Sequence, residues 1–99
     1  MKTGYFFIIK NNTSRGKDLA QLLHAGEKVY KNEGEVNRKI VNKLKLEEVD
    51  ELISFFKRNK LRYYEVIDAG KTQVLPNTRT VIAVVVGEDI SFFKKYKLY

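Results

Sequence analysis

The stretch Gly4-Tyr5-Phe6-Phe7-Ile8-Ile9-Lys10, followed by Asn11-Asn12-Thr13-Ser14, sets the frame for the rest of the chain. Aromatic and β-branched residues suit a packed, pleated strand, and a run of Asn, Thr and Ser suits the loop by which a chain leaves one. From about Arg15 to Lys31, Leu19, Leu22, Leu23, Val29 and Tyr30 recur at helical spacing. Thr13 or Ser14 is placed to cap the first turn.

The same alternation continues outward from this beginning. Polar residues Glu33 to Asn37, with Gly34 among them, separate the first helix from a short run, Lys39 to Lys45, that reads as an edge strand. Glu47 to Asn59 sets Val49, Leu52, Ile53 and Phe56 on one stripe. Acids at its start and Lys57, Arg58 and Lys60 at its end match a helix dipole. Leu61 to Ile67 reads as a strand, and Asp68 to Arg79 as a long loop holding Gly70, Pro76 and Asn77. Thr80 to Val86 is an apolar strand buried on both faces, and a short helix is predicted around Glu88 to Lys94. This order predicts an α/β fold, a three-layer α/β/α sandwich around a mixed sheet of about four strands. At 99 residues the chain supports one core, so a single domain over residues 1–99 is expected.

Composition narrows the chemistry. An apolar fraction of 43% argues for a folded globule. The absence of cysteine removes disulfides, thiolate nucleophiles and Cys-ligated zinc, and fits a reducing compartment. With one histidine, a His-rich metal site is ruled out. The longest apolar stretches, Tyr5 to Ile9 and Val81 to Val86, fall far short of the ~20 residues that span a bilayer. No signal-peptide pattern opens the chain, so a cytoplasmic location without membrane attachment is expected. Nineteen Lys and Arg against twelve Asp and Glu give a net charge of +7, a positive field that attracts polyanions and puts nucleic acid first among partners. A Lys-rich surface serving solubility has the same composition.

Two polar clusters fall where α/β sheets place ligands, beyond the carboxyl ends of strands. In the first, Arg15 to Ala25, the residues Lys17, Gln21 and His24 are spaced four and three apart on one helix edge. Leu19, Leu22 and Leu23 lie on a different stripe, so the leucines are expected to seat the helix while the polar edge faces a cleft. Lys17 also lies near a helix N-terminus, which favours a phosphate or a developing oxyanion. An ordinary polar helix face carrying a surface histidine has the same spacing. The second cluster, Asp68 to Thr80, offers a carboxylate, an amide and three hydroxyls. There Asp68 can act as base toward a water or hydroxyl, and Thr and loop N–H groups can hold ester oxygens or ribose. Turn-forming Asp and Thr that bond their own backbone account for it equally well. No G-x-S-x-G elbow or P-loop motif is present, which turns attention away from covalent catalysis.

Taken together, the clusters resemble the type II peptidyl-tRNA hydrolase family, whose first helix carries G-K-x-x-A-Q-x-x-H-A and whose later loop reads D-A-G-[RK]-T-Q before a Pro turn and a Thr. Gly16-Lys17, Ala20-Gln21 and His24-Ala25 match the first pattern; Asp68 to Gln73, Pro76 and Thr80 match the second. The ending Lys97-Leu98-Tyr99 resembles the family's C-terminal strand or tail, while the segments at Asn11 to Ser14 and Lys31 to Asn37 are shorter than is usual there. The resemblance implies an α/β/α fold, a homodimer, no metal or other cofactor, and hydrolysis of peptidyl-tRNA to tRNA and peptide. It marks Lys17, His24, Asp68, Thr72 and Thr80 as catalytic candidates. Asp68, steadied by Thr72 or Thr80, would position a water; Lys17 would stabilise the oxyanion or a phosphate; His24 would bind or relay a proton. Arg15, Gln21, Lys28, Lys71, Gln73 and Arg79 are the candidates for holding the substrate and its acceptor stem. The alternative is a non-catalytic RNA-binding or protein-interaction module on the same fold.

Overall fold

The structure, a computed structural model, describes residues 2–10, 14–68 and 78–99. Its elements run β1 (Thr3–Ile9), α1 (Arg15–Glu33), β2 (Arg38–Leu44), a 3₁₀ turn (Leu46–Glu48), α2 (Val49–Arg58), β3 (Tyr63–Asp68), β4 (Thr78–Val86) and a 3₁₀ segment (Ser91–Lys95). The four strands form one sheet in the order β2-β1-β4-β3. β1 is parallel to β2, and β4 is antiparallel to both β1 and β3. β1, β2 and β3 therefore point the same way, and their carboxyl ends share one edge of the sheet.

Side-chain alternation along the central strands builds two cores. Tyr5, Phe7 and Ile9 of β1 and Ile82, Val84 and Val86 of β4 meet Val49, Leu52 and Phe56 of α2 and Phe93 and Tyr96 on one face. Phe6, Ile8, Val81 and Ala83 meet Ala25 and Val29 of α1 on the other. Every residue of β1 is buried, as expected of a strand covered on both sides. The architecture is the α/β sandwich that the sequence predicts, a helical layer on each face of a mixed sheet. On the α2 face, Phe7 packs its ring edge-on against Phe93 and Tyr96, at centroid distances of 5.3 and 5.6 Å. Lys95 and Tyr96 fasten this layer by bonding Glu51 of α2 at 2.6 and 2.9 Å, and those two bonds hold the Glu51 carboxyl below its ordinary pKa.

Local chemistry explains the element boundaries. Ser14 Oγ accepts from the Lys17 N–H and caps α1, and Gly34, at φ +79°, ends it in a conformation that side-chain-bearing residues resist. β2 is an edge strand, as predicted, and the chain end runs beside it. Lys43 N–H donates to the Lys97 carbonyl at 2.7 Å and Tyr99 N–H to the Val41 carbonyl at 2.9 Å, covering an edge that would otherwise be open to pairing.

Three sequence expectations change. The segment after β4 is a 3₁₀ stretch at Ser91–Lys95 rather than a helix over Glu88 to Lys94. Asp68 belongs to β3, and Thr78 and Arg79 to β4, so both strands extend into the segment read as loop; residues 69–77 lie outside the described residues. Third, of the three leucines expected to seat α1, only Leu22 packs against the core, partly buried. The buried residues of α1 are Gln21, Ala25 and Val29, whereas Leu19 is 45% and Leu23 71% exposed. The helix is turned so that small Ala25 lies close against the sheet and Gln21 reaches a buried partner.

This rotation sets the relative cost of two truncations. Val29→Ala should cost about 2 kcal/mol, and Leu23→Ala should stay within about 0.5 kcal/mol, both read from urea unfolding. Equal losses would mean that α1 sits on its leucines after all.

Candidate active site

Asp68 is the last residue of β3 and shares its face with Tyr64 and Val66, so its side chain turns toward α1. There it is buried, with 3% of the side chain exposed. Its Oδ2 atom lies 2.8 Å from Lys17 Nζ and accepts a hydrogen bond from Gln21 Nε2 at 2.7 Å. Lys17 and Gln21 stand one helical turn apart, which brings both side chains to the same point. The first and second polar clusters are thus one site, assembled across 47 residues of sequence. The carboxylate cannot be buried cheaply without a cation and a donor, and α1 supplies both. Lys17 keeps 22% of its side chain exposed, so the pair is only partly shielded from solvent.

A β-bulge shapes the strand end. Val66 opposes Val81, but Ile67 opposes Arg79, leaving Thr80 as the extra residue on β4. Thr80 is buried, and its hydroxyl donates to the Val66 carbonyl at 3.1 Å where the ladder is interrupted. The bulge also decides where Arg79 points. In an unbroken register it would share the face of Val81 and Ala83, toward α1. Shifted, it lies on the face of Glu65 and Ile67 and pairs with Glu65 Oε2 at 3.0 Å.

The remaining candidates are more dispersed. His24 lies on α1 beyond Gln21, 65% exposed, with Nδ1 3.7 Å from Glu27 Oε1. Lys28 continues the same edge, and its ammonium donates to the Glu65 carbonyl at 2.8 Å. Arg15 is exposed at the first position of α1. Lys71, Thr72 and Gln73 lie outside the described residues. The structure therefore brings Lys17, Gln21 and Asp68 together, gives Thr80 a role in holding the strand that carries Asp68, and leaves His24 on the rim. Sequence reasoning missed Glu65, which engages both Lys28 and Arg79. A glutamate in mid-strand carried no signal, since only the bulge brings Arg79 to its face. Among the described residues, no three His, Cys, Asp or Glu gather as a metal-ligand set.

A polar helix edge bonded to a buried carboxylate at a strand end is chemically suited to orienting a small polar molecule and to stabilising negative charge on it. The family model for Peptidyl-tRNA hydrolase PTH2 matches residues 7–99, and the chain belongs to that family. The search of curated proteins finds no match. No helix among the described residues is long and apolar enough to cross a membrane.

The Lys17–Asp68 contact is measurable apart from any activity. Lys17→Met should cost about 2 kcal/mol, below the 3–5 kcal/mol of a fully buried pair because Lys17 is partly exposed. In an Asp68→Asn background the same substitution should cost about 0.5 kcal/mol or less, giving a coupling above about 1 kcal/mol in a double-mutant cycle. Additive losses would show that the two side chains do not interact.

Proposed function

We propose, on the premise of this family membership, that the chain hydrolyses the ester linking a peptide, or an N-blocked amino acid, to the 3′ ribose of tRNA, returning free tRNA. The observation that carries this reading is the meeting of Lys17 and Gln21 with Asp68, because these are the residues by which both family motifs are matched. Family membership supports a hydrolase of peptidyl-tRNA at the level of the family. The assignment of steps to residues is our own.

Ester hydrolysis needs an oriented water, a base, and positive charge where the carbonyl oxygen becomes negative. In this reading Asp68 and the carbonyl of Gln21 orient the water. Its oxygen adds to the ester carbon while a proton passes to the carboxylate. Lys17, held by Asp68 through one N–H, directs others to the oxyanion. The carbon–O3′ bond then breaks and the ribose oxygen takes the proton back, by way of His24 or directly from Asp68. Thr72 belongs with Asp68 as a hydroxyl donor, and Thr80 serves by fixing the bulge that ends β3. Arg15, Lys28, Lys71, Gln73 and Arg79 remain assigned to the substrate's RNA end, with Lys28 and Arg79 exchanging their bonds to Glu65 for phosphates. No metal takes part, a choice supported by the single histidine and the lack of cysteine. The reading carries with it a cytoplasmic enzyme working as a homodimer.

Release of labelled N-acetyl-aminoacyl groups from tRNA, followed with EDTA present, tests the proposal. The wild-type protein should cleave, Asp68→Ala should lower kcat by about 10²–10³-fold, and His24→Ala should lower it by less. Asp68→Ala turning over at the wild-type rate would remove Asp68 from the chemistry. Tight tRNA binding by the wild type with no cleavage would favour the binding-module alternative.

A further inference from the structure

The chain's positive charge is not spread evenly. A cleft of about 680 Å³ opens between the end of β2 with its following 3₁₀ turn and the end of the Ser91–Lys95 segment. It is lined by Lys10, Lys43, Lys45, Lys94, Lys95 and Lys97, with only Glu47 and Glu48 as acids. Six of the chain's nineteen basic residues therefore surround one concavity. Among the described residues, only Lys95 of the six is in an ion pair, with Glu51. Lys10, Lys43, Lys45, Lys94 and Lys97 are exposed, and no carboxylate among the described residues forms an ion pair with them.

The walls of this cleft are fixed rather than loose. Leu44 and Tyr96 form its buried floor, and the Tyr96 hydroxyl is held by Glu51. Asn42 donates to the Tyr96 carbonyl at 3.3 Å, and Lys43 N–H to the Lys97 carbonyl at 2.7 Å. Glu48, one of the two acids, has its carboxylate turned to the Lys45 N–H. Ammonium groups are thus presented from the ends of β1 and β2 and from the C-terminal segment, whose backbones are bonded to one another. Such an array matches successive phosphates better than a single small anion.

The position of the cleft identifies its occupant. Lys10 follows β1 and Lys45 follows β2, so the cleft sits on the carboxyl edge of the sheet, the edge on which Asp68 ends β3. Three inter-strand spacings separate β2 from β3, about 14 Å, a gap that a few nucleotides of the tRNA 3′ end can span. We infer that this lysine cleft binds the phosphodiester backbone of the tRNA substrate while its 3′ end crosses the sheet edge to Asp68. The inference rests on the hydrolase reading for the identity of the RNA. It adds a second binding surface, separate from the residues around Asp68 and on the α2 side of the sheet.

The test uses deacylated tRNA, which carries no ester and so reports on the cleft whether or not the protein turns over. Lys45→Gln, Lys94→Gln and Lys97→Gln are combined in one variant. A second variant, Lys57→Gln, Arg58→Gln and Lys60→Gln, removes equal charge at the amino edge of the sheet, where α2 ends. Binding is followed by fluorescence anisotropy over a salt series. The cleft variant should raise Kd about tenfold or more near 100 mM salt and lower the slope of log Kd against log salt by about 2–3. The amino-edge variant should stay within about threefold of wild type. An unchanged Kd in the cleft variant, or equal weakening in both, would overturn the inference. If the triple variant fails to fold by circular dichroism, Lys45→Gln and Lys97→Gln singly, each lowering the slope by about 0.7–0.9, decide it in the same titration. Cleft-dependent binding by a wild-type protein that cleaves no ester would sink the hydrolase reading and leave this one standing.

Discussion

The carboxyl edge of this protein is organised by one oxygen, Asp68 Oδ2, which holds Lys17 at 2.8 Å and Gln21 at 2.7 Å. Magnitudes show why it dominates the placement of α1. Leaving a buried carboxylate without its partners costs about 3–5 kcal/mol. Leaving Leu23 mostly and Leu19 partly in solvent forgoes only part of the roughly 1.5–3 kcal/mol that burying each would contribute. The helix therefore turns Lys17 and Gln21 toward the acid and Leu19 and Leu23 outward, and Leu22, Ala25 and Val29 provide the apolar contact that remains. An interaction at the site thus sets the rotation of an element 19 residues long.

The sheet gives that interaction its location. Because β4 enters antiparallel between β1 and β3, the three other strands deliver their carboxyl ends to one edge. The chain leaving β1 enters the capped N-terminus of α1, the chain leaving β2 enters the 3₁₀ turn before α2, and β3 ends on the buried carboxylate. A helix terminus and a strand-end acid are brought to that edge without any long-range device beyond strand order. The Thr80 bulge refines the edge by sending Arg79 to the far face of the sheet, so the cation nearest Asp68 in the described residues is Lys17, approached from the helix.

Much of this was legible in the chain, because periodicity reports burial wherever burial is what selects residues. The covered strand β1 and the Val81 to Val86 part of β4 read as apolar runs, and α2 as one apolar stripe with charges matched to its dipole. The Lys17, Gln21 and Asp68 grouping was legible for a different reason: spacing placed two of them on one helix edge, and the motif resemblance joined the third. What stayed hidden depended on contacts between distant segments. The leucines of α1 read as a core stripe because sequence shows apolar character but not that a buried acid will claim the opposite edge. The bulge left no sign in Thr80 itself. The lysine cleft was invisible because its residues come from four places, after β1, at the end of β2, beyond it and near the chain end, each an ordinary charged position on its own.

Electrostatics then separates two tasks that a single positive field would blur. Lys17 is in contact with a buried carboxylate, where the local interaction is strong and salt screens it little. The cleft lysines stand in solvent, where charges more than about 8 Å apart are screened at physiological salt, and where attraction to a polyanion arises from release of its counterions. Salt therefore weakens capture of the RNA far more than it disturbs the geometry around Asp68. It follows that ionic strength should act mainly through KM while kcat holds, since the charge that stabilises the reacting oxygen is positioned by the fold and the charge that gathers the substrate is not paired within it.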